Sequence, residues 1–282
     1  MQLLDGKKLS AQIKEDLKKE TLRLKETRGI IPGLAVILVG SDAASELYVR
    51  MKAKACEEVG VYSVVHAMPE NLKLQEIIDT IKMMNANPFL DGILIQLPLP
   101  RHIDASELLE KIAIEKDVDG FHPHNFGRLF TGLDSFAPCT PIGVMKLLEA
   151  NGIEVKGLNA CVVGASNIVG RPMAALLLNA GATVDVCHIF TSDLAEHTKR
   201  ADLLVVGVGK ANLITADMVK EGAIVADIGI NRIDGKTRGD VAFEEVAPKT
   251  SWITPTPGGV GPMTIAMLLS NTIKAAKRRK IQ

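Results

Sequence analysis

Tyr48 and Lys52 stand four residues apart in SELYVRMKAKACEEVG (45–60), so in a helix a phenol and an amine share one face. An amphipathic helix with Tyr48 half buried and Lys52 solvated explains the same pattern. Gln96 ends the apolar run DGILIQ and precedes Leu97-Pro98-Leu99-Pro100, which a strand cannot continue through. An amide there either caps a strand or faces the ligand crevice at the carboxyl end of a parallel sheet. Asp117 and Asp119, in KDVDG (116–120), can bind a cation, cap a turn or hold a polar heterocycle, although the other ligands of a calcium loop are missing. His122 and His124 flank Pro123 with no third ligand at metal spacing, so no metal site is expected.

Two further segments expose backbone. In VVGASNIVGRPMAALLL (162–178) an apolar strand runs through Gly164, Ala165, Ser166 and Gly170 into a helix, placing amides and a helix dipole where a pyrophosphate can sit. The spacing is G-x5-G rather than G-x-G-x-x-G, a weak motif by itself, and a dinucleotide site is favoured over a plain strand-to-helix turn. The next strand should end about 20 residues on with an acid if the ligand is NAD; here it ends His188-Ile189-Phe190, which tilts the choice to NADP. TPTPGGVGPMT (254–264) is a rigid loop suited to a planar ligand or to a turn alone. Glycines at 207, 209 and 229 either admit a cofactor closely or serve packing.

Alternating elements must position these residues. An amphipathic helix is predicted over 7–27, then apolar runs at 34–40, 62–68 and 91–100 with helical patterns at 43–59 and 72–86. Continuous apolar runs between helices mean a parallel sheet covered on both faces. The Gly-, Pro- and aromatic-rich segment 121–141 lacks sustained periodicity and marks a domain boundary, with a helix starting at Pro141. Runs at 159–165, 183–188, 201–209, 222–229 and 252–259 then build a second, doubly wound α/β domain, closed by a helix from about Pro262 to Lys280.

Composition narrows the partners. Lys+Arg and Asp+Glu both number 33, which removes broad attraction to nucleic acid or anionic membranes and leaves small-molecule work. Cys56, Cys139, Cys161 and Cys187 form no C-x-x-C pair, the start turns polar too quickly for a signal peptide, and no apolar run would span a bilayer. A reducing cytoplasm fits. The basic tail Lys277–Lys280 reads as the expected charge at a helix C-terminus.

Taken in order, Tyr48-x-x-x-Lys52, DGILIQLPLP, KDVDGF, PCTP, VVGASNIVGRP, ADLLVVGVGK, VADIGINR, GDV and TPTPGGVGPMT closely resemble the bifunctional methylenetetrahydrofolate dehydrogenase/cyclohydrolase family, over nearly the whole chain. The resemblance implies NADP-dependent oxidation of 5,10-methylenetetrahydrofolate to the methenyl form and hydrolysis to 10-formyltetrahydrofolate, within one-carbon metabolism serving purine, methionine and histidine synthesis. It implies a folate-binding catalytic domain over 1–140, completed by 262–282, a Rossmann-like NAD(P) domain over 141–261, and a homodimer. Lys52 would be the catalytic lysine, Tyr48 would pack on folate, Gln96 would orient Lys52 and Asp119 would anchor the pterin. Ile95, Leu97 and the loop Pro257, Gly258, Gly259, Val260 and Gly261 would contact folate; Gly164, Ala165, Ser166, Ile189 and Ile230 would lie along the cofactor. Many members carry Gly-Arg-Ser and Ser-Arg where this chain has Gly164-Ala165-Ser166 and Ile189-Phe190, so both arginines that would meet a 2′-phosphate are missing.

The chemistry fits one site. A methylene between two amine nitrogens loses hydride to a resonance-stabilised cation, which needs alignment more than a base. Hydrolysis needs a group that takes a proton from water and gives one to nitrogen. Lys52 does this only if burial and the adjacent cation favour its neutral form, and Gln96 can hold the amine without the charge of a carboxylate. Short-chain dehydrogenases also use Tyr-x-x-x-Lys, but after their glycine motif, whereas here the pair precedes Gly164 by more than 110 residues. A shikimate- or amino-acid-type dehydrogenase, which also places a substrate domain before the dinucleotide domain, and a non-catalytic dinucleotide sensor built of two α/β domains stand as alternatives.

Overall fold

A computed structural model describes residues 1–279. In chain order the elements are β1 (Gln2–Leu3), α1 (Gly6–Arg28), β2 (Gly33–Val39), α2 (Ala43–Val59), β3 (Tyr62–Met68), α3 (Leu74–Ala86), β4 (Gly92–Ile95), α4 (Ala105–Leu109) and α5 (Pro123–Phe130). They continue with α6 (Cys139–Ala150), β5 (Asn159–Val163), α7 (Gly170–Asn179), β6 (Thr183–Cys187), α8 (Leu194–Lys199), β7 (Leu203–Val206), β8 (Ile224–Asp227), β9 (Asn231–Ile233), β10 (Lys236–Arg238), α9 (Phe243–Val246), β11 (Trp252–Ile253) and α10 (Val260–Arg278). The predicted end of the last helix at Lys280, and the segment on to 282, lie outside the described residues. The chain divides into two compact α/β units, one made of Gln12–Arg128, Asp134–Ala137 and the residues from Ile265 onward, the other of Met1–Ala11, Leu129–Leu133 and Pro138–Thr264.

In the unit that starts at Gln12, β3, β2 and β4 form a parallel sheet with β2 in the middle. All seven residues of β2 are buried, the signature of a strand covered on both faces. Ile37, Ile77, Ile81, Ile93 and Leu108 are fully buried in its core, each stabilising the fold by roughly 1.5–3 kcal/mol relative to exposure. Gly92 opens β4 because a Cβ there would lie 2.7 Å from Val118 Cγ2. The chain passes from β2 to β3 on one side and places β4 on the other, so the carboxyl ends of β2 and β4 flank a switch point, where open α/β sheets bind ligands.

The other unit holds a parallel six-stranded sheet in the order β1-β11-β8-β7-β5-β6, doubly wound in the Rossmann manner. Its switch point lies between β5 and β7. Leu204, Val206, Val225 and Ile253 anchor its core.

Several expectations need correction. The strand expected to close at Gln96 ends one residue earlier, at Ile95, and the apolar run over 252–259 is a strand only to Ile253, with prolines following both. The segment 121–141 contains α5, which Pro123 at its first turn and Gly127 inside it disguise. The helix predicted from Pro141 begins at Cys139. Neither β1 nor the β9–β10 hairpin was expected, although Asp234-Gly235, both with positive φ, is the turn such a hairpin favours.

Candidate functional site

Helix α2 is pinned at both ends. Asp42 accepts a hydrogen bond from Ser45 N at 2.8 Å, which holds its carboxyl below the usual range, and Gly60 closes the helix in the left-handed region at φ 82°. The face so fixed buries Ser45, Val49, Lys52 and Cys56. Lys52 is only 8% exposed, so the solvated lysine of an ordinary amphipathic helix does not describe it. Tyr48, one turn earlier, is half buried, and burial raises its phenol further above neutrality.

Gln96 reaches this face from the end of β4. Its N–H continues the sheet pairing to Ile37 O at 2.9 Å, although the strand itself has ended. Its Nε2 donates to Leu97 O at 2.7 Å, which leaves Oε1 to accept from Lys52 Nζ at 2.9 Å. The buried amine thus meets a neutral acceptor of fixed orientation. Cys56, one turn beyond Lys52, has its thiol pushed up to about 12 by burial and stays uncharged. Ile95 is buried in the sheet, and Leu97 is half buried against the core.

The two aspartates of 116–120 separate into different roles. Asp117 is 1% exposed and accepts from Phe121 N, His122 N and Asn125 Nδ2 at 3.1, 2.9 and 2.8 Å, so it caps the turn. Burial outweighs these bonds and pushes its carboxyl up to about 6. Asp119 is half buried in the same turn, which Asn271 Nδ2 ties down through Val118 O at 2.8 Å. His122 Nδ1 accepts from His124 N at 3.0 Å. Among the described residues, no group of three or more His, Cys, Asp or Glu is placed to hold a metal.

In the Rossmann-like unit the turn after β5 is tight enough to require its glycines. Gly164 has φ 117°, and a Cβ on it would lie 2.4 Å from Gly207 O; one on Gly170 would lie 1.9 Å from Gly164 O. Ser166 Oγ accepts from Val169 N at 3.2 Å, and α7 opens directly on the turn. This arrangement fits a dinucleotide pyrophosphate. Ile189, past the end of β6, and Ile230, past β8, are both exposed. A Cβ on Gly261 would meet Ile230 at 3.8 Å, which puts the loop of Pro257, Gly258, Gly259, Val260 and Gly261 beside the residues expected along the cofactor. Tyr48, Lys52, Ile95, Gln96, Leu97 and Asp119 belong to the other unit.

Sequence reasoning overlooked the pair Asp227 and Asp240, 4% and 0% exposed. Asp227 accepts from the amides of Gly229, Asp240 and Val241 at 2.9, 3.0 and 3.0 Å; Asp240 accepts from those of Val208 and Gly209 at 2.6 and 2.9 Å and from Asn231 Nδ2 at 2.8 Å. Burial pushes the Asp227 carboxyl up to about 6. Together they shape the loops at the ends of β7 and β8. The signal was present in DIG and GDV: Gly229 was weighed, but neither carboxylate was.

Residues 4–119 match the family model described as the tetrahydrofolate dehydrogenase/cyclohydrolase catalytic domain, and residues 138–280 its NAD(P)-binding domain. The bifunctional protein FolD of Nitratiruptor sp. is 70% identical over 280 residues, 99% of either chain. The crystal structure of the bifunctional FolD enzyme methylenetetrahydrofolate dehydrogenase/cyclohydrolase from Campylobacter jejuni is 58% identical with a TM-score of 0.97, covering 99% of this chain and 100% of that one. The Trypanosoma brucei methylenetetrahydrofolate dehydrogenase-cyclohydrolase, complexed with NADP and an inhibitor, is 36% identical with a TM-score of 0.93, covering 97% and 96%.

Proposed function

Because this chain belongs to the tetrahydrofolate dehydrogenase/cyclohydrolase family, we propose that Lys52, positioned by Gln96, carries the protons of its hydrolytic step. The enzyme is bifunctional: it oxidises 5,10-methylenetetrahydrofolate to the methenyl form with NADP, then hydrolyses that product to 10-formyltetrahydrofolate. The observation that carries the proposal is the contact of a buried lysine amine with a neutral amide, Lys52 Nζ to Gln96 Oε1 at 2.9 Å.

NADP, when bound, takes up the hydride. The chain's own share of the oxidation is alignment, with Tyr48 offering an aromatic face to the folate ring and Asp119 a hydrogen-bond acceptor to the pterin. In hydrolysis, water adds to the methenyl carbon and passes a proton to Lys52 Nζ. The lysine returns a proton to the ring nitrogen as its bond to that carbon breaks, and the adduct's hydroxyl releases its own proton to solvent as it becomes the carbonyl, leaving the formyl group on the other nitrogen. A lysine does this near neutral pH when it is buried beside a cation; Lys52 is buried, and the methenyl intermediate is the cation.

By the same reading Ile95, Leu97 and the loop over 257–261 border the folate, and Gly164, Ala165, Ser166, Ile189 and Ile230 line the dinucleotide. We assign folate binding to the unit of Gln12–Arg128, Asp134–Ala137 and the residues from Ile265 onward, and dinucleotide binding to the unit of Met1–Ala11, Leu129–Leu133 and Pro138–Thr264. We place the working enzyme in the cytoplasm as a homodimer. The four cysteines are buried and form no disulfide, in keeping with a reducing compartment, and light scattering on the purified protein checks the dimer. No described helix is long and apolar enough to cross a membrane.

Absorbance of the methenyl product tests the assignment. Wild type should form it from methylenetetrahydrofolate and NADP and speed its decay; Lys52→Met should leave the decay at the uncatalysed rate. Normal hydrolysis by that variant removes lysine from the mechanism.

A further inference from the structure

The rim beyond β6 has a composition that bears on which dinucleotide the enzyme accepts. In a doubly wound fold the residues past this strand meet the adenosine ribose, with a carboxylate for the 2′-hydroxyl of NAD or a guanidinium for the 2′-phosphate of NADP. Here the rim is His188-Ile189-Phe190-Thr191-Ser192, without either group. Its polar atoms serve the loop itself: His188 N donates to Thr191 Oγ1 at 2.9 Å, and Phe190 N donates to His188 Nδ1 at 3.2 Å. The next acid, Asp193, caps α8 by accepting from Glu196 N at 3.1 Å.

Two arginines of this unit, Arg171 and Arg200, stand outside the rim's own sequence. Arg171 Nε donates to Ala165 O at 3.2 Å, and Arg200 binds Asp185 Oδ2 through both Nε and a terminal nitrogen, at 3.2 and 2.5 Å. What the rim does present is apolar surface. Ile189 and Phe190 are 91% and 87% exposed, more than any other large apolar side chain among the described residues, and the Phe190 ring meets His188 edge-on. Adjacent exposed apolar side chains of this size mark a contact surface rather than ordinary solvent-facing positions.

We propose that this rim packs on the adenosine without reading its 2′ position, so the enzyme takes NAD as well as NADP in one site, with position 189 setting the preference. The inference rests on the reading of this unit as the dinucleotide domain. The glycine turn and the start of α7 bind the pyrophosphate that both dinucleotides share, and an apolar rim neither repels the phosphate, as a carboxylate would, nor rewards it, as a guanidinium would.

Isothermal titration of the full-length protein with NADP and with NAD, in parallel with kcat/KM for each in the oxidation, tests this. Expected are dissociation constants within about tenfold of one another and the same narrow ratio in kcat/KM. Ile189→Arg should then move both ratios towards NADP by about tenfold or more, and Ile189→Asp should move them towards NAD. A wild-type preference beyond about tenfold, or ratios indifferent to the residue at 189, overturns the proposal while leaving the dinucleotide domain intact. Failure to bind either dinucleotide overturns it together with the domain reading.

Discussion

At the scale of single residues, the charge state of one amine decides the hydrolytic step. Gln96→Glu would put a carboxylate where Oε1 now accepts from Lys52 Nζ at 2.9 Å. A partner charge this close stabilises the ammonium by one to three pKa units, as for other close ion pairs, so less of the lysine is neutral at pH 7. Hydrolysis should fall by about ten- to a hundredfold there and recover as pH rises, while oxidation changes far less; a pH profile that keeps the wild-type shape would show that Gln96 does not act through the lysine. Gln96→Ala should slow hydrolysis without moving the profile upward, which separates loss of position from gain of charge. The four-residue spacing of Tyr48 and Lys52 was legible as a shared helix face. The burial of Lys52 was not, since an amphipathic helix usually keeps its lysines wet, and only the family resemblance pointed to it. Asp227 and Asp240 went unseen for a related reason: a carboxylate that accepts three amides looks, in sequence, like any surface acid.

At the scale of elements, α2 carries both Tyr48 and Lys52, so the way it ends bears on the site. Gly60 occupies the left-handed region, with Thr21 Oγ1 3.3 Å from where a Cβ would stand. Gly60→Ala should cost about 1–2 kcal/mol for the backbone alone, which for a chain of this size lowers Tm by about 2–4 °C per kcal/mol in calorimetry. An unchanged Tm would mean that the helix end relaxes freely. Elements with long uniform patterns were the readable ones: β2, β3 and α2 fall within a residue of where periodicity puts them. Elements of two or three residues, such as β1 and β11, carry no period, and their place in the sheet depends on partners remote in the chain. Helix α5 was hidden by residues that usually break helices, although Pro123 sits where a helix tolerates it.

At the scale of the whole molecule, stability should carry the signature of two buried acids. Burial pushes the carboxyls of Asp117 and Asp227 up to about 6. A carboxyl with a raised folded pKa favours folding below its unfolded value, near 4, and that contribution is lost as pH rises through about 6. Surface acids such as Asp134, Asp185 and Asp202 act in the opposite sense, because hydrogen bonds from Lys274, Arg200 and Lys220 lower theirs. The comparison that isolates the buried groups is therefore between variants. The deficit in urea midpoint of Asp117→Asn relative to wild type should be larger at about pH 4.5 than at about pH 7, and equal deficits would contradict the raised value. The two α/β units themselves were visible in the alternation of apolar runs and helices. The grouping of Met1–Ala11 with Pro138–Thr264 was not, because it arises from pairing between opposite ends of the chain.

The corner built on Asp227 and Asp240 also divides the dinucleotide unit by how freely it can evolve. A Cβ on Gly239 would lie 1.8 Å from Asp227 Oδ2 and one on Gly229 2.2 Å from Asp240 Cγ, so these four positions form an epistatic block that single replacements cannot cross. Ile189, 91% exposed, has no such neighbours to satisfy. A lineage or a mutant library under selection for a different redox pool will therefore find its accessible steps at the rim, with the corner inherited unchanged.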